Sequence, residues 1–407
     1  MMMLYNIIQG IRIGQPTFRV GEGNPIAATN IQESLLLLED NAMTVSYEKF
    51  DLKEVINASG RMTILGVSKV SQAVLAAQQY GGEHFFEMED LSVKVGAYLA
   101  DLLKAEDAQV VSSASAGIAQ SVAGVIGKGS LFHAYHPYAE TITQREIILP
   151  KGHNVDYGTP VEVMVQQGGG KVVEAGYANV CTPEHVEMMI TKETAALLYV
   201  KSHHTVQKSM LTVDEMVAVA RKYDLPVIVD AAAEEDLFGY YAAGADLVIY
   251  SGAKAIEGPS AGLVVGKKSA VEWVRLQGKG IGRAMKIGKD NILGLAQAVE
   301  DYLANGSESG ESMKARLAPF IEAVNQIPAL QATVVQDSAG REIFRGSVKV
   351  SGEIDAKEVI RQLKTQNPAI YTREYQANNG IIEFDIRSVN QTEMMKIVQR
   401  LREILGE

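Results

Sequence analysis

Short apolar runs alternate with segments of helical periodicity between residues 55 and 268 of the chain. Several runs are nearly continuous in Val, Ile and Leu and lack the polar alternation of a half-exposed strand. Such runs are typical of strands covered on both faces, as in a mostly parallel sheet between two layers of helices. Their alternation with helices predicts an α/β architecture. The predicted strands are residues 108–112, 146–149, 171–174, 195–200, 226–230, 247–250 and 262–265.

The pattern changes after about residue 290, where helical segments dominate to about residue 326. The order of the elements that follow predicts a small α+β domain. These elements are a strand at 343–350, a helix at 355–363, a strand at 381–386 and a helix at 391–405.

The chain has 407 residues, which exceeds the length at which a single hydrophobic core usually stops growing. We therefore expect more than one domain. The predicted division is an N-terminal segment or arm over 1–54, a large domain over 55–300 and a small C-terminal domain over 301–407.

Composition narrows the class of protein. Hydrophobic residues make up 47% of the chain and charged residues 21%, which is ordinary for a globular enzyme. A formal net charge of −11 disfavours nucleic acid as a partner, because affinity for it comes largely from Lys and Arg. Cys181 is the single cysteine, which excludes an intrachain disulfide. The sequence has neither a long apolar span nor a secretory signal, so we expect no membrane association and a cytoplasmic location.

Two apolar runs end in groups that carry chemistry. One run leads into Ser251-Gly252-Ala253-Lys254, and the other ends in Asp230. Ligands of open α/β sheets bind beyond the carboxyl ends of the strands, where this amine and this carboxylate are expected to meet. Pyridoxal phosphate needs a lysine for its aldehyde and an acidic partner for its pyridinium nitrogen. The pair therefore predicts a pyridoxal phosphate site in which Lys254 and Asp230 are catalytic.

A run of small residues provides a candidate phosphate cup for the same cofactor. Backbone N–H groups at the start of a helix can approach an anion closely, and the helix dipole adds partial positive charge. A tight strand-to-helix turn without a ligand would have the same composition. The predicted cofactor-binding residues of this kind are Ser113, Ser115, Ala116, Gly117 and, at the end of a neighbouring strand, Ser251.

Two histidines follow predicted strands on the same side of the sheet. His153 lies beyond the strand at 146–149, and His203 lies beyond the strand at 195–200. Either side chain could stack on the cofactor ring or hydrogen-bond its 3-oxygen, and either could instead be purely structural.

Five basic residues are candidates for binding an anionic, amino-acid-like substrate. Arg387 ends the predicted strand at 381–386, where its guanidinium could bind an α-carboxylate through two parallel hydrogen bonds. Arg61 and Arg373 are further candidates. Arg283 and Lys286 follow a glycine-rich stretch and are predicted to bind a distal anionic group, with a solvated basic surface as the alternative. No spacing of His, Cys, Asp and Glu predicts a metal site.

These segments together resemble the fold-type I pyridoxal phosphate enzymes, and within them the selenocysteine-synthase-like family. The resemblance spans about residues 55–387 and rests above all on the lysine motif at 251–254 with the turn at 258–262. Segments 57–66 and 151–158 resemble the D-glucosaminate-6-phosphate ammonia-lyase-like branch. The resemblance implies the aspartate aminotransferase-like fold of PLP-dependent transferases, with a seven-stranded, mostly parallel sheet. It also implies a homo-oligomer of at least a dimer, with each active site built from two subunits.

The resemblance implies a PLP-dependent lyase that eliminates water and ammonia from an amino sugar acid and leaves a 2-keto-3-deoxy acid. Lys254 would bind the cofactor as a Schiff base and then remove the α-proton. Three alternatives remain open at this point. One is a selenium transferase acting on seryl-tRNA, and another is an aldolase or desulfurase of the same fold, since a fold does not determine the reaction. The third is a PLP-binding or scaffold protein without turnover, which the intact pair of Asp230 and Lys254 disfavours.

Overall fold

The computed structural model describes residues 45–202, 204–337 and 341–406. The chain divides into two units, Met1–Glu54 and Val55–Glu407. In the first unit, the described residues contain a short 3-10 helix, Glu48–Phe50. Most of the predicted N-terminal segment therefore lies outside the described residues.

The second unit alternates strands and helices as far as β8. Its strands are β1 Val55–Ala58, β2 Asp107–Val111, β3 Glu146–Pro150, β4 Lys171–Ala175, β5 Thr194–Val200, β6 Val227–Asp230, β7 Leu247–Ser251, β8 Gly262–Gly266, β9 Leu330–Gln336, β10 Phe344–Val350, β11 Ala369–Thr372 and β12 Ile381–Asp385. Its helices are α1 Gln72–Glu83, α2 Met88–Leu102, α3 Ala114–Gly127, α4 Leu131–Tyr135, α5 Val161–Gln167, α6 Pro183–Glu187, α7 Val213–Lys222, α8 Gly239–Ala242, α9 Lys268–Leu276, α10 Lys289–Asn305, α11 Gly310–Asn325, α12 Ala356–Thr365 and α13 Gln391–Leu405.

A seven-stranded sheet forms the centre of this unit, in the order β2-β8-β7-β6-β5-β3-β4. The five strands β7, β6, β5, β3 and β4 are parallel to one another. Strand β8 is antiparallel to both of its neighbours, β2 and β7. All seven strands predicted for the large domain are present in it. The predicted α/β fold with a mostly parallel sheet is therefore confirmed.

Helices cover both faces of the sheet, which explains why its strands are apolar throughout. One face packs against α3, α5 and α9, through residues such as Val122, Val165 and Val274. The other face packs against α1, α2, α7 and α10, and its core includes Leu99 and Leu295. Every residue of β5 and of β8 is buried. Two-sided burial removes the polar alternation that a half-exposed strand would show.

The C-terminal part contains a second core around a three-stranded antiparallel sheet, in the order β12-β10-β9. Strand β1 pairs in parallel with β11 and contributes Ile56 to this core, although the sequence analysis assigns residues 55–58 to the large domain. The predicted boundary at residue 300 lies inside α10. The proposed domain division stays a prediction.

Candidate active site

Lys254 and Asp230 lie at the carboxyl ends of two adjacent parallel strands. Strand β6 ends at Asp230, which is in register with Ile249 of β7. Lys254 follows β7 in a turn in which its backbone N–H donates to the Ser251 carbonyl at 3.3 Å. Both side chains line a cavity of about 420 Å³, which we call the strand-end cavity. The sheet thus brings together the two residues that the sequence analysis selects as catalytic.

Burial shifts the pKa values of both groups toward their neutral forms. Asp230 is only 4% exposed, and burial raises its pKa to about 6, although the Ala232 N–H and Lys254 act in the opposite direction. Burial also lowers the pKa of Lys254, an effect that the Asp230 carboxylate partly offsets. A lysine amine with a lowered pKa is the nucleophile that a carbonyl group requires for Schiff-base formation.

The predicted phosphate cup lies at the N-terminus of α3. The Ser113 Oγ accepts a hydrogen bond from the Ala116 N–H at 3.0 Å and so caps the helix. Ser113, Ser115 and Ser251 all line the strand-end cavity. Their hydroxyl groups and the helix N-terminus can together bind a phosphate group.

Glycine at two positions allows this cup to lie close to the sheet. A Cβ at Gly262 of β8 would lie 2.4 Å from the Ser113 carbonyl atoms, so only glycine leaves room for the loop. A Cβ at Gly117 would lie 3.0 Å from a methyl group of Ile249. Gly117 therefore supports the packing of α3 behind the cup, and Ala116 beside it is also buried.

The residues of the strand-end cavity fit pyridoxal phosphate. The cavity offers a phosphate cup, an amine for the aldehyde and a buried carboxylate for the ring nitrogen. It also contains Tyr157, whose hydroxyl is buried without a hydrogen-bond partner among the described residues. Burial and the Asp230 carboxylate both raise the pKa of this hydroxyl, so Tyr157 stays protonated and can donate to a ligand. The sequence analysis missed Tyr157, because nothing in segment 151–158 distinguishes it from a core tyrosine.

The histidines differ from one another in position. His153 is fully buried; its Nε2 lies 3.2 Å from the Val206 carbonyl, and its Nδ1 accepts from the Val200 N–H at 3.4 Å. Burial lowers its pKa to about 4. It lines neither cavity described here, and its predicted cofactor contact stays a prediction. His203 lies outside the described residues. Its neighbour His204 lines the strand-end cavity beside Lys254.

Arginine side chains line a second cavity of about 370 Å³, which we call the arginine cavity. It shares Lys254, His204 and Tyr157 with the strand-end cavity, so the two cavities adjoin at the reactive amine. The sequence analysis predicted three of its arginines and missed two. The arginines that line it are Arg61, Arg341, Arg345, Arg373 and Arg387.

Two buried aspartates hold three of these arginines in place. Asp385 accepts hydrogen bonds from Arg387 Nε at 3.0 Å and Nη2 at 2.8 Å, and from Arg345 Nε at 3.0 Å. Asp337 accepts from Arg345 Nη1 at 2.8 Å and from Arg341 Nε at 2.9 Å. Burial of Asp385 favours a higher pKa, but the guanidinium groups of Arg387 and Arg345 hold it at about 2. Both aspartates therefore remain ionised at neutral pH.

The missed residue Arg345 carries a signal that strand pairing can reveal. It is a charge near the start of the apolar strand β10, and it pairs in register with Asp385 of β12. A buried charge requires a partner, and here the partner is directly across the ladder. The predicted strands at 343–350 and 381–386 each contain two charged residues, so the sequence alone does not identify the pair, and the register of β10 with β12 is needed to do so.

The other predicted basic residues have different surroundings. Arg61 pairs with Glu257 at 2.5 Å, and Arg373 lies 3.6 Å from Glu383. Arg283 and Lys286 are exposed and line neither of the two cavities. Their predicted role in binding the substrate stays a prediction.

Residues 45–202, 204–337 and 341–406 contain no group of three or more His, Cys, Asp and Glu that could hold a metal ion. None of the helices within these same ranges is long and apolar enough to cross a membrane.

Known proteins match this chain over most of its length. A D-glucosaminate-6-phosphate ammonia lyase from Salmonella typhimurium is 45% identical over 363 residues, which cover 88% of this chain and 97% of that protein. A 5'-C-glycyluridine monooxygenase-decarboxylase from a Streptomyces species is 35% identical, over 89% of this chain and 92% of that protein. A solved structure of D-glucosaminate-6-phosphate ammonia-lyase has 44% identity and a TM-score of 0.85, and it covers 89% of this chain.

The model of the L-seryl-tRNA selenium transferase family matches residues 90–338. Proteins that themselves bear that name are more distant; one from Alkaliphilus metalliredigens is 29% identical over 63% of this chain. The predicted fold, the predicted cofactor and the prediction that the protein is an enzyme are therefore confirmed. The chain belongs to the L-seryl-tRNA selenium transferase family of pyridoxal-phosphate-dependent enzymes.

Proposed function

We propose that the protein is a pyridoxal-phosphate-dependent ammonia-lyase that acts on an amino sugar acid of the D-glucosaminate-6-phosphate type. The observation that carries this proposal is the position of Lys254, which lines both the strand-end cavity and the arginine cavity. A substrate held by arginines on one side would present its α-carbon to the amine on the other. The similarity to the Salmonella protein along nearly its whole length supports the same reaction.

The residues that line the two cavities have different roles in the proposed reaction. Pyridoxal phosphate, when bound, supplies an electron sink for negative charge at the substrate α-carbon. The Asp230 carboxylate would face the ring nitrogen, and the α3 N-terminus with Ser113 would hold the phosphate. The Lys254 Nζ would hold the cofactor aldehyde and, with substrate bound, would serve as the base that accepts the α-proton.

The elimination then requires a proton for the leaving group and a fixed carboxylate. The proton taken up at Lys254 Nζ is available to the β-hydroxyl, which departs as water. Arg387, itself oriented by Asp385, holds the α-carboxylate through its guanidinium group. Hydrolysis of the released enamine takes up one water molecule and so balances the water lost in the elimination. The net change is loss of ammonia and formation of a 2-keto-3-deoxy acid.

A second candidate function comes from the Streptomyces relative, whose name describes oxidation with loss of the carboxyl group. The two reactions differ in products and in oxygen use. Lyase activity releases ammonia, consumes no oxygen and retains the carboxylate, whereas oxidative decarboxylation consumes oxygen and releases carbon dioxide.

The test is a product assay on the purified, cofactor-loaded protein with D-glucosaminate 6-phosphate. We expect equal amounts of ammonia and 2-keto acid, with no oxygen uptake. Lys254→Ala should reduce turnover by at least about 10⁴-fold, because it removes both the cofactor-binding amine and the base. Lys268→Ala changes an exposed lysine of α9 and should leave turnover unchanged. Oxygen uptake without ammonia, or full activity of Lys254→Ala, would refute the proposal.

We further propose a homo-oligomer of at least a dimer and a cytoplasmic location, with a role in amino sugar acid catabolism. The homo-oligomer is supported by two exposed apolar side chains that line the arginine cavity, Ile64 and Tyr375, because a partner subunit would cover them. The free thiol of Cys181 is compatible with a reducing compartment. Light scattering of the purified protein tests the oligomer, and a monomer would refute it.

A further inference from the structure

We propose that Arg341, Arg345 and Arg373 form a subsite for the distal phosphate of the substrate, separate from the carboxylate site at Arg387. This inference rests on the proposed function and adds to it the residues that select a phosphorylated substrate. It replaces the sequence-based assignment of that group to Arg283 and Lys286.

The buried guanidinium of Arg345 has an unused donor. Arg345 is 2% exposed and lines the arginine cavity, and its Nε and Nη1 are occupied by Asp385 and Asp337. Its Nη2 is buried and has no hydrogen-bond partner among the described residues. A buried donor without a partner carries a substantial free-energy penalty, which a bound anion would remove.

Arg373 has a similar unused donor at the same cavity. Its Nε is buried and forms no hydrogen bond with any described residue, and Glu383 lies beyond hydrogen-bond distance at 3.6 Å. The Arg373 guanidinium lies 5.0 Å from the centre of the Tyr375 ring, which limits its orientations. Arg345 and Arg373 therefore each have a donor that no described residue satisfies, as does Arg61 at its Nε, although Arg61 also pairs with Glu257.

Arg341 supplies the third positive charge and stays partly accessible, with 34% of its side chain exposed. It shares Asp337 with Arg345, so one carboxylate orients two guanidinium groups toward the same space. Fixed guanidinium groups lose little side-chain entropy when an anion binds. The arrangement is therefore organised before the ligand arrives.

The cofactor phosphate does not account for these arginines. The strand-end cavity that contains Ser113, Ser115 and Ser251 has no arginine in its lining. The two cavities share Lys254, but of the two the three serines line only the strand-end cavity and the arginines line only the arginine cavity. The arginine side must therefore bind anionic groups of the substrate.

The number of guanidinium groups indicates a phosphate in addition to a carboxylate. Arg387 alone, with its bidentate geometry, meets the needs of an α-carboxylate. Three further arginines exceed what one carboxylate can use. A phosphate monoester carries close to two negative charges at neutral pH and has three acceptor oxygens, which suits the donors of Arg341, Arg345 and Arg373.

Binding of a substrate analogue that cannot react tests this subsite without turnover. 6-Phosphogluconate has the phosphate and the carboxylate but no amine, and gluconate lacks the phosphate. For the cofactor-loaded protein, calorimetry should give an affinity at least about 50-fold higher for 6-phosphogluconate. Arg341→Gln and Arg373→Gln should each reduce that ratio by about 10-fold or more, because each removes a charged hydrogen bond. Neither should change the affinity for gluconate.

Three comparisons make the result decisive. Arg361→Gln removes an exposed arginine of α12 that also pairs with a carboxylate, and it should keep the wild-type ratio. Arg345→Lys retains the charge of the buried residue, so it should fold, and it should lower the ratio because the fork geometry is lost. A wild-type ratio in Arg341→Gln and Arg373→Gln, with loss of the ratio in Arg283→Gln or Lys286→Gln, would overturn the inference.

The binding assay and the product assay fail independently. If 6-phosphogluconate is preferred through these arginines but no ammonia forms from the amino sugar acid, the subsite stands and the proposed reaction is wrong. If ammonia forms but the phosphate gives no advantage in binding, the subsite is wrong and the proposed reaction stands.

Discussion

The two cavities that meet at Lys254 are built in different ways. In the strand-end cavity, the residues with predicted chemical roles lie at or just after the ends of strands of the seven-stranded sheet, which aligns Ser113, Asp230, Ser251 and Lys254. The arginine cavity depends on pairs that are distant in sequence, such as Arg345 with Asp385, which lie 40 residues apart. Under the proposed function, the cofactor chemistry would lie at the strand ends, whereas substrate selection would depend on side-chain pairing in the C-terminal part.

The two cavities also differ in their electrostatics. Asp230 and Lys254 are each shifted toward neutrality by burial. Asp337 and Asp385 remain ionised, because arginines surround them and lower their pKa values despite burial. The first arrangement keeps a proton mobile near neutral pH, and the second keeps charges fixed for binding.

After removal of Lys254 itself, the largest expected effect comes from neutralising the carboxylate of the strand-end cavity. Asp230→Asn should lower kcat by about 10³-fold, since it removes a preorganised charge that stabilises the developing negative charge through the ring. Stopped-flow product assays measure this. Asp246→Asn is the matched control, because Asp246 is a buried aspartate at the opposite end of β7, paired with Arg221 and Lys267. An equal loss of kcat in both variants would contradict a specific role for Asp230.

The difference between strand-end positions and pairs that are distant in sequence also explains which site residues can be predicted from the sequence. Lys254, Asp230 and the cup at Ser113 are predictable, because a strand end fixes the position of a side chain once the sheet is known. Arg341 and Arg345 are not singled out in the same way, because their roles depend on the register of β10 with β12 and on contacts with Asp337. The pairing of β1 with β11 was missed for a related reason, as it joins segments more than 300 residues apart.

Breaking the buried pair of the arginine cavity should mainly reduce stability. Arg345→Met removes one arginine from Asp337, which keeps Arg341, and one from Asp385, which keeps Arg387, and the loss of both buried ion pairs should cost about 3 kcal/mol. Urea denaturation measures the free energy of unfolding. Arg361→Ala, which breaks an exposed pair, should cost less than about 1 kcal/mol. Equal losses in the two variants would show that burial does not distinguish these pairs.

The contributions of Asp230 and Asp385 to the free energy of unfolding should change in opposite directions with pH. The folded-state pKa of Asp230 is raised to about 6, so folded protein holds this proton more tightly than unfolded protein does. Its contribution to the free energy of unfolding therefore falls as pH rises from about 4 to 6. The pKa of Asp385 is lowered to about 2, so its contribution is present above about pH 4 and is lost below it.

The smallest expected effect follows from this contrast. In cofactor-free protein, Asp230→Asn should raise the free energy of unfolding at pH 7 by about 2 kcal/mol relative to pH 4, because each pKa unit is worth about 1.4 kcal/mol and part of the effect lies below pH 4. Urea denaturation at several pH values measures it, and subtracting the wild-type curve cancels other groups such as His153. Asp385→Asn should give the opposite sign, a loss of stability that diminishes as the pH falls below about 4 and disappears near pH 2. The same sign in both variants would mean that the two cavities do not differ in how they hold charge.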